Sequence, residues 1–225
     1  MADCKDCTCC YVNFPELSRI ELEYLKQGNT HITLKKGENI VKQNTFITSI
    51  SCVIDGMFSI VLEGERGRNL CIGIGGNNEL IGVTDLLTNE HHSYTAITFR
   101  KTSICMIEKK NFMYILDSND LFRRRIFDKY AVYIKDLHTR LMIIGTKQMH
   151  GRLADTILYL CERKKCIPDL FGYISRKDIA AMTGTSVETI VRLLKEFYHD
   201  GLIKMSGRDI GINNLGLLQK LRKIG

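Results

Sequence analysis

The sequence predicts an α+β protein: a β-rich front half, a long amphipathic helix and a basic helical back half. Three observations predict it. Between Thr30 and Lys110, short apolar runs alternate with glycines at 37, 56, 64, 67, 73, 75, 76 and 82. Beyond Ser118, apolar residues recur at spacings of three and four. Charge is also divided, since residues 1–118 carry 12 Lys/Arg against 14 Asp/Glu, whereas residues 119–225 carry 20 against 11. A neutral front and a basic back fit a sensing part joined to a part that meets a polyanion, and on charge alone they fit equally a domain kept soluble by surplus lysines.

A chain of 225 residues holds one or two domains. Its 44% apolar and 25% charged residues suffice for a core and exclude wholesale disorder. No apolar run approaches the roughly 18 residues of a membrane span. The start, Met1-Ala2-Asp3-Cys4, lacks the apolar stretch of a secretory signal. Nine cysteines, an odd number without an export signal, fit a reducing compartment better than a disulfide framework. A cytoplasmic protein with no membrane partner is therefore expected.

The elements follow in order. Cys4, Cys7, Cys9 and Cys10 crowd the amino end. Leu17, Ile20, Leu22 and Leu25, with acids between them, predict a short amphipathic helix within 15–28. Ser59–Leu62, Leu70–Ile72 and Ser103–Ile107 are rich in β-branched residues and bounded by turn formers, so they predict strands of a sandwich or small barrel. Gly73-Ile74-Gly75-Gly76 lacks the strand, lysine and helix context of a phosphate loop and reads as a turn. His91-His92 could ligate a metal, but an exposed polar turn is the commoner reading. Cys52, Cys71, Cys161 and Cys166 read as small core residues.

Phe127, Tyr130, Ile134, Leu137, Leu141 and Ile144 are spaced 3, 4, 3, 4, 3, an a/d seam of nearly three heptads. A helix packed on its own domain needs a wider stripe. The narrow seam predicts pairing with a second copy about a two-fold axis. A further helix runs through Leu153, Ile157, Leu158, Leu160 and Cys161, broken by Pro168 and Gly172.

The stretch Ile174–Leu194 is the most informative. Ser175 with Asp178, and Thr185 with Glu188, read as capping boxes opening two short helices. Gly184 permits the tight turn between them. Ile179, Met182, Ile190, Leu193 and Leu194 supply a shared core, while Ser186, Val187, Glu188, Val191 and Arg192 stay exposed near the start of the second helix. That end of a recognition helix meets base edges in the major groove. An arginine there bonds guanine O6 and N7 as a fork, and a glutamate accepts from cytosine N4. The competing reading of Arg192 is a surface pair with Glu188 or Glu196. After Asp200-Gly201, residues 202–210 read as a β-hairpin wing, with Lys204 and Arg208 free to meet phosphate. Ser175, Arg176 and Thr185 complete the expected DNA-binding set. No nucleophile–base pair, carboxylate pair or phosphate loop supports an enzyme.

The Glu-Thr-Ile-x-Arg motif at 188–192, the wing after Asp-Gly-Leu-Ile, the seam helix and the glycine-punctuated β-region together resemble the cyclic-AMP receptor / fumarate-nitrate-reduction superfamily of bacterial transcription regulators. The resemblance covers nearly the whole chain. It implies a double-stranded β-helix (jelly-roll) sensor at 13–118 after a Cys-rich segment at 1–12. It further implies a dimerisation helix at 119–146 and a winged helix–turn–helix at 147–225. The implied partners are double-stranded DNA in palindromic sites, a second copy of the chain and RNA polymerase. Glu188 and Arg192 then contact a G·C pair in each half-site. Val187, where many relatives have arginine, resembles the fumarate-nitrate branch, whereas Val191 replaces a smaller or polar residue.

Two family inputs differ in chemistry. Cyclic-nucleotide members place Arg-Ser/Thr-Ala after a Gly-Glu loop to neutralise the phosphate. Here Asn78-Glu79-Leu80-Ile81-Gly82 precedes Ser93-Tyr94-Thr95-Ala96, so Tyr94 holds the arginine position and no cyclic nucleotide is expected. The alternative is a [4Fe–4S] cluster. Cys4-x-x-Cys7-x-x-Cys10 has cluster-ligand spacing, and the resemblance implies a fourth ligand at Cys105. The relatives' longer gap leaves Cys9 as the alternative to Cys10. Zinc on the same thiolates, a haem or small-effector input, and a metal-free tail are the competing readings. In the cluster reading, an intact centre ties the tail to the β-domain and orients two DNA-reading heads ~34 Å apart. Oxygen or nitric oxide breaks that tie.

Overall fold

The computed structural model describes residues 14–224, apart from 68, 89, 166 and 168. The chain forms two compact units. One is the chain up to Glu63 with Gly73–Lys135, and the other is Gly64–Ile72 with the chain from Asp136 onward.

In the first unit, helix α1 (Arg19–Lys26) opens on a capping box. The Ser18 hydroxyl accepts the Glu21 N–H, and the Glu21 carboxylate accepts from the Ser18 N–H and hydroxyl. Leu22 and Leu25 fill its buried face. Eight strands follow: β1 (Thr30–Leu34), β2 (Asn39–Val41), β3 (Ser49–Asp55), β4 (Phe58–Leu62), β5 (Leu70–Gly75, whose first three residues count with the other unit), β6 (Leu80–Ile81), β7 (Thr95–Thr98) and β8 (Thr102–Glu108). A short helix α2 (Val83–Thr88) lies between β6 and β7. The strands form two four-stranded sheets in the orders β1-β8-β3-β6 and β2-β7-β4-β5. This is the two-sheet roll expected from the resemblance, a double-stranded β-helix. The three strands read from the sequence are present, each extended by one or more residues.

Gly73 and Gly75 were expected in a turn, but both lie within β5. A side chain at Gly75 would place Cβ 2.2 Å from the Phe58 ring, so the glycine allows close packing rather than a bend.

Strand β8 shows how the sheet divides its side chains. Ile104 packs with Val53, Phe58, Ile81, Tyr94 and Ala96, and Met106 lies against that cluster. Cys105 and Ile107 point the other way, into a second cluster with Leu22, Leu25, Phe112 and Phe122. The period-two alternation of a strand therefore sends Cys105 to the face covered by helices. That cover includes α1, α3 (Lys109–Ser118) and the start of α4 (Asp120–Thr146).

Helix α4 spans the expected seam. Phe127, Ile134 and Leu141 are 54%, 48% and 66% exposed, whereas Leu137 and Ile144 are half-buried. Tyr130 departs from the expectation. It packs against the core of its own unit, and its hydroxyl donates to the Leu80 carbonyl at 3.4 Å. Burial first, then neighbouring Tyr94 and Tyr133, hold its hydroxyl far above its usual pKa. The physical reason lies in helix pitch. At 3.6 residues per turn, Phe122, Ile126 and Tyr130 share one face, so the same helix carries a second apolar stripe for its own domain.

In the second unit, α5 (Met149–Lys164) is followed by α6 (Leu170–Tyr173), α7 (Arg176–Thr183) and α8 (Val187–His199). The hairpin β9 (Ile203–Ser206)–β10 (Asp209–Ile212) and α9 (Leu215–Ile224) complete it. Helix α5 ends before residue 168, and Gly172 lies inside the single turn α6, so it is no breaker. Buried Leu153, Ile157, Leu160, Leu193, Phe197 and Leu218 make the core. Asp155, 6% exposed, is held by Lys147 at 2.5 Å and Arg222 at 2.6 Å. No helix among the described residues is long and apolar enough to cross a membrane.

Candidate nucleic-acid interface

Helix α7 opens as expected. Ser175 is its N-cap, and Asp178 returns the bond to the Ser175 backbone. The Ser175 hydroxyl is thereby engaged with Asp178 at 2.6 Å. Gly184 closes the helix in the left-handed region (φ 69°), a conformation glycine adopts without steric cost.

Helix α8 starts one residue later than expected. Thr185 belongs to the turn, its N–H donating to the Ala180 carbonyl at 3.1 Å. Ser186 is the N-cap, with extended backbone and a hydroxyl that accepts the Thr189 N–H at 3.2 Å. The left-handed Gly184 uses one further residue to redirect the chain, which moves the cap. The Thr185–Glu188 box is therefore replaced by a Ser186–Thr189 cap.

Ile190, Leu193, Leu194 and Phe197 bury one side of α8. Val187, Glu188, Val191 and Arg192, at i, i+1, i+4 and i+5, share the opposite side. Glu188 and Arg192 are exposed, Val191 is 38% exposed and Val187 is half-buried. The Glu188 carboxyl is held below its usual range by its own backbone N–H and then by the Ser186 hydroxyl, so it stays an acceptor. Arg192 reaches Glu196 at 3.5 Å, the surface pair foreseen as its competing role. That pair is exposed on both sides, and such pairs contribute only about 0.2–1 kcal/mol. The sequence reading missed His150, whose Nε2 lies 2.9 Å from the other Glu196 oxygen. A histidine 46 residues away leaves no local signal of that contact.

The wing turns at Gly207 (φ 60°), with Lys204 and Arg208 exposed beside it. Arg208 also donates to the Gly172 carbonyl at 3.4 Å. Arg176 is drawn inward instead, 4.0 Å from the Met205 sulfur, and burial lowers its pKa.

In the β-roll, the Tyr94 hydroxyl accepts the Gly82 N–H at 2.9 Å. Burial above all pushes that hydroxyl up, so it stays protonated. His92, expected in an exposed turn, is 5% exposed, and its Nδ1 stands 3.6 Å from Asp85. Asp85 accepts from the Ser93 N–H at 3.1 Å and the Ser93 hydroxyl at 2.6 Å. Burial alone would raise the Asp85 carboxyl, but the adjacent His92 ring and the hydrogen bonds from Ser93 outweigh it and hold it below its usual range. The segment around Gly82–Tyr94 thus holds a buried carboxylate, Asp85, and a buried tyrosine.

Cys4, Cys7, Cys9 and Cys10 lie outside the described residues. Among the described residues no group of three or more His, Cys, Asp or Glu could hold a metal. Cys105 is fully buried, and its sulfur accepts from Asn29 Nδ2 at 3.5 Å. The other Asn29 atom, Oδ1, is buried without a hydrogen-bond partner among the described residues. Phe14 and Leu17, which follow the cysteine-rich segment, share the Cys105 cluster.

Comparisons with known proteins agree with this geometry. Residues 31–119 match the family model described as a cyclic nucleotide-binding domain, and residues 151–221 match the Crp-like helix-turn-helix domain. The chain is 25% identical to the fumarate and nitrate reduction regulatory protein of Escherichia coli (strain K12), over 97% of this chain and 89% of that one. It is 24% identical to the transcriptional activator protein Anr of Pseudomonas aeruginosa, over 94% and 88%. Among solved structures, FixK2 from Bradyrhizobium japonicum superposes with a TM-score of 0.76 at 20% identity, covering 86% of this chain and 96% of that one. These relatives are regulators rather than enzymes. With both modules in order and such relatives along its length, the chain belongs to the cyclic-AMP receptor / fumarate-nitrate-reduction family of DNA-binding transcription regulators, on its fumarate-nitrate branch.

Proposed function

We propose that the chain is a homodimeric regulator of palindromic operators that senses oxygen, nitric oxide or redox state through an N-terminal iron–sulfur cluster. The observation that carries the DNA-reading part is the exposed face of α8. Arg192 is the fork for guanine and Glu188 the acceptor for cytosine N4. Val191 offers an apolar contact to a thymine methyl. Val187 and Ser186 line the same helix start, while Lys204 and Arg208 hold the wing to phosphate. Ser175 and Thr185, whose backbone N–H groups are engaged by Asp178 and the Ala180 carbonyl, act by holding the helix–turn–helix in shape. Arg176 contributes through the wing residue Met205 rather than as an extended cation. Phe127, Ile134 and Leu141, with Leu137 and Ile144 at the margin, form the seam with a second copy. RNA polymerase is the protein partner such a regulator acts upon.

For the sensor, Cys4, Cys7 and Cys10 (with Cys9 as alternative to Cys10) and Cys105 are the proposed ligands of a [4Fe–4S] cluster. Such a cluster supplies a centre sensitive to oxygen and nitric oxide. The donor chemistry at Cys105 fits: a thiol in an apolar site, with an amide N–H directed at sulfur, a contact that tunes iron–sulfur centres. Phe14 and Leu17 in the same cluster bring the chain that follows the other cysteines to this face. Tyr94 and Asp85 speak against a cyclic nucleotide.

An iron and sulfide assay with a visible spectrum, taken on protein purified under nitrogen, tests the sensor. Bound iron and sulfide with a broad violet-blue shoulder support it. A colourless, iron-free protein with intact thiols removes it and leaves the DNA-reading part standing.

A further inference from the structure

We propose that Cys52 and Cys105 form a cross-strand dithiol that closes to a disulfide under peroxide. The two cysteines are direct partners in the β3–β8 ladder. Lys109 donates to the Thr48 carbonyl at 3.3 Å, marking that pair as hydrogen-bonded. Hydrogen-bonded and non-bonded pairs alternate along an antiparallel ladder. Stepping by two through Ile50–Ile107 puts Cys52–Cys105 at a hydrogen-bonded pair. Cα atoms there stand about 5.5 Å apart, within the roughly 4.4–6.8 Å that a disulfide spans. Directly opposed residues project from the same face of the sheet, and both cysteines lie in the same helix-covered cluster. A single buried cysteine packs as a small apolar residue, but two in register, on one face, hold the geometry of a bond.

The step balances with hydrogen peroxide as oxidant. One sulfur attacks a peroxide oxygen and the O–O bond breaks. The departing hydroxide takes that thiol's proton and leaves as water, and the sulfur becomes a sulfenic acid. The second sulfur attacks the sulfenic sulfur, so the S–S bond forms and the S–O bond breaks. The second hydroxide takes the remaining thiol proton. Two electrons pass from two thiols to one peroxide, which ends as two waters. Both sulfurs are fully buried, so only a small, neutral oxidant is suited to reach them. In the linked state Cys105 is withdrawn from any ligand role. The inference goes beyond the cluster reading and does not depend on it.

The test uses the full chain, reduced, stripped of metal by a chelator and treated with hydrogen peroxide. Remaining thiols are blocked with N-ethylmaleimide under denaturing conditions before tryptic digestion. Cys52 is the sole cysteine of Gln43–Arg66, and Cys105 the sole cysteine of Thr102–Lys109. We expect these two peptides joined, lighter than their sum by two hydrogens, and separated by reductant. Cys52→Ser should yield no such species. Peroxide should also raise the melting temperature of the wild-type β-roll and leave that of Cys52→Ser unmoved. The proposal is overturned if both peptides emerge unlinked, whether alkylated or over-oxidised, once peroxide has consumed the N-terminal thiols. Linkage of Cys105 to Cys4, Cys7, Cys9 or Cys10 overturns it equally. An iron-free protein in the anaerobic assay would end the cluster reading alone.

Discussion

In the proposed interface, Arg192 and Lys204 carry positive charge to the same polyanion for different ends. A guanidinium facing two acceptors on one base distinguishes that base, whereas an ammonium on the wing meets a phosphate common to every sequence. Arg192→Ala should therefore cost about 1–3 kcal/mol of discrimination between operator and mismatched half-site in competition binding. Lys204→Ala should weaken both alike and reduce the salt slope by about one. The caps make a second residue-scale test. Because Ser186 rather than Thr185 accepts the first-turn N–H, Ser186→Ala should destabilise the second unit by ~1 kcal/mol in a urea melt. Thr185→Ala should cost less. Asp85 sets an acid limit. Its folded pKa lies below the unfolded value, so its contribution to stability is full above about pH 4 and is lost as pH falls through the folded value. Asp85→Asn should flatten the acid limb of stability, read as melts between about pH 6 and about pH 2.

Helix α4 carries two apolar stripes. Phe122 and Ile126 are buried and Tyr130 packs on the same core, while Phe127, Ile134 and Leu141 stand exposed on another face. A periodicity count finds apolar positions but does not assign a face to each when two stripes share one helix. Tyr130 satisfies the 3-4 spacing and still belongs to the domain, because Phe122 and Ile126 place its face over the sheet. The two stripes predict separable failures. Ile134→Glu should shift the protein from dimer to monomer in sedimentation and leave its melting little changed. Tyr130→Ala should lower the stability of the β-roll on the order of 3 kcal/mol, as for loss of a buried aromatic, and leave the dimer assembled. The same limit of local reading applies to β8. The pattern at 102–108 marks a strand, but which face Cys105 occupies follows from its pairing with β1 and β3.

At the scale of the molecule, residues 136–225, in the unit with the helix–turn–helix, hold 15 Lys/Arg against 9 Asp/Glu, six of the nine surplus cationic charges beyond residue 118. Operator affinity should fall linearly in log–log form as salt rises, since each neutralised phosphate releases counterions. A slope near zero in filter or fluorescence titration would contradict the assigned interface. The amino-acid sequence alone determined the order of strands, seam helix and recognition helices, because periodicity, glycine spacing and the 188–192 motif are local properties of the chain. Only tertiary structure decided that Ser186 caps α8, that His92 is buried beside Asp85, and that Tyr130 faces inward. Only it set Cys52 against Cys105. Each of these depends on which residues distant in sequence become neighbours, and that is settled by strand register and helix packing rather than by any run of adjacent side chains.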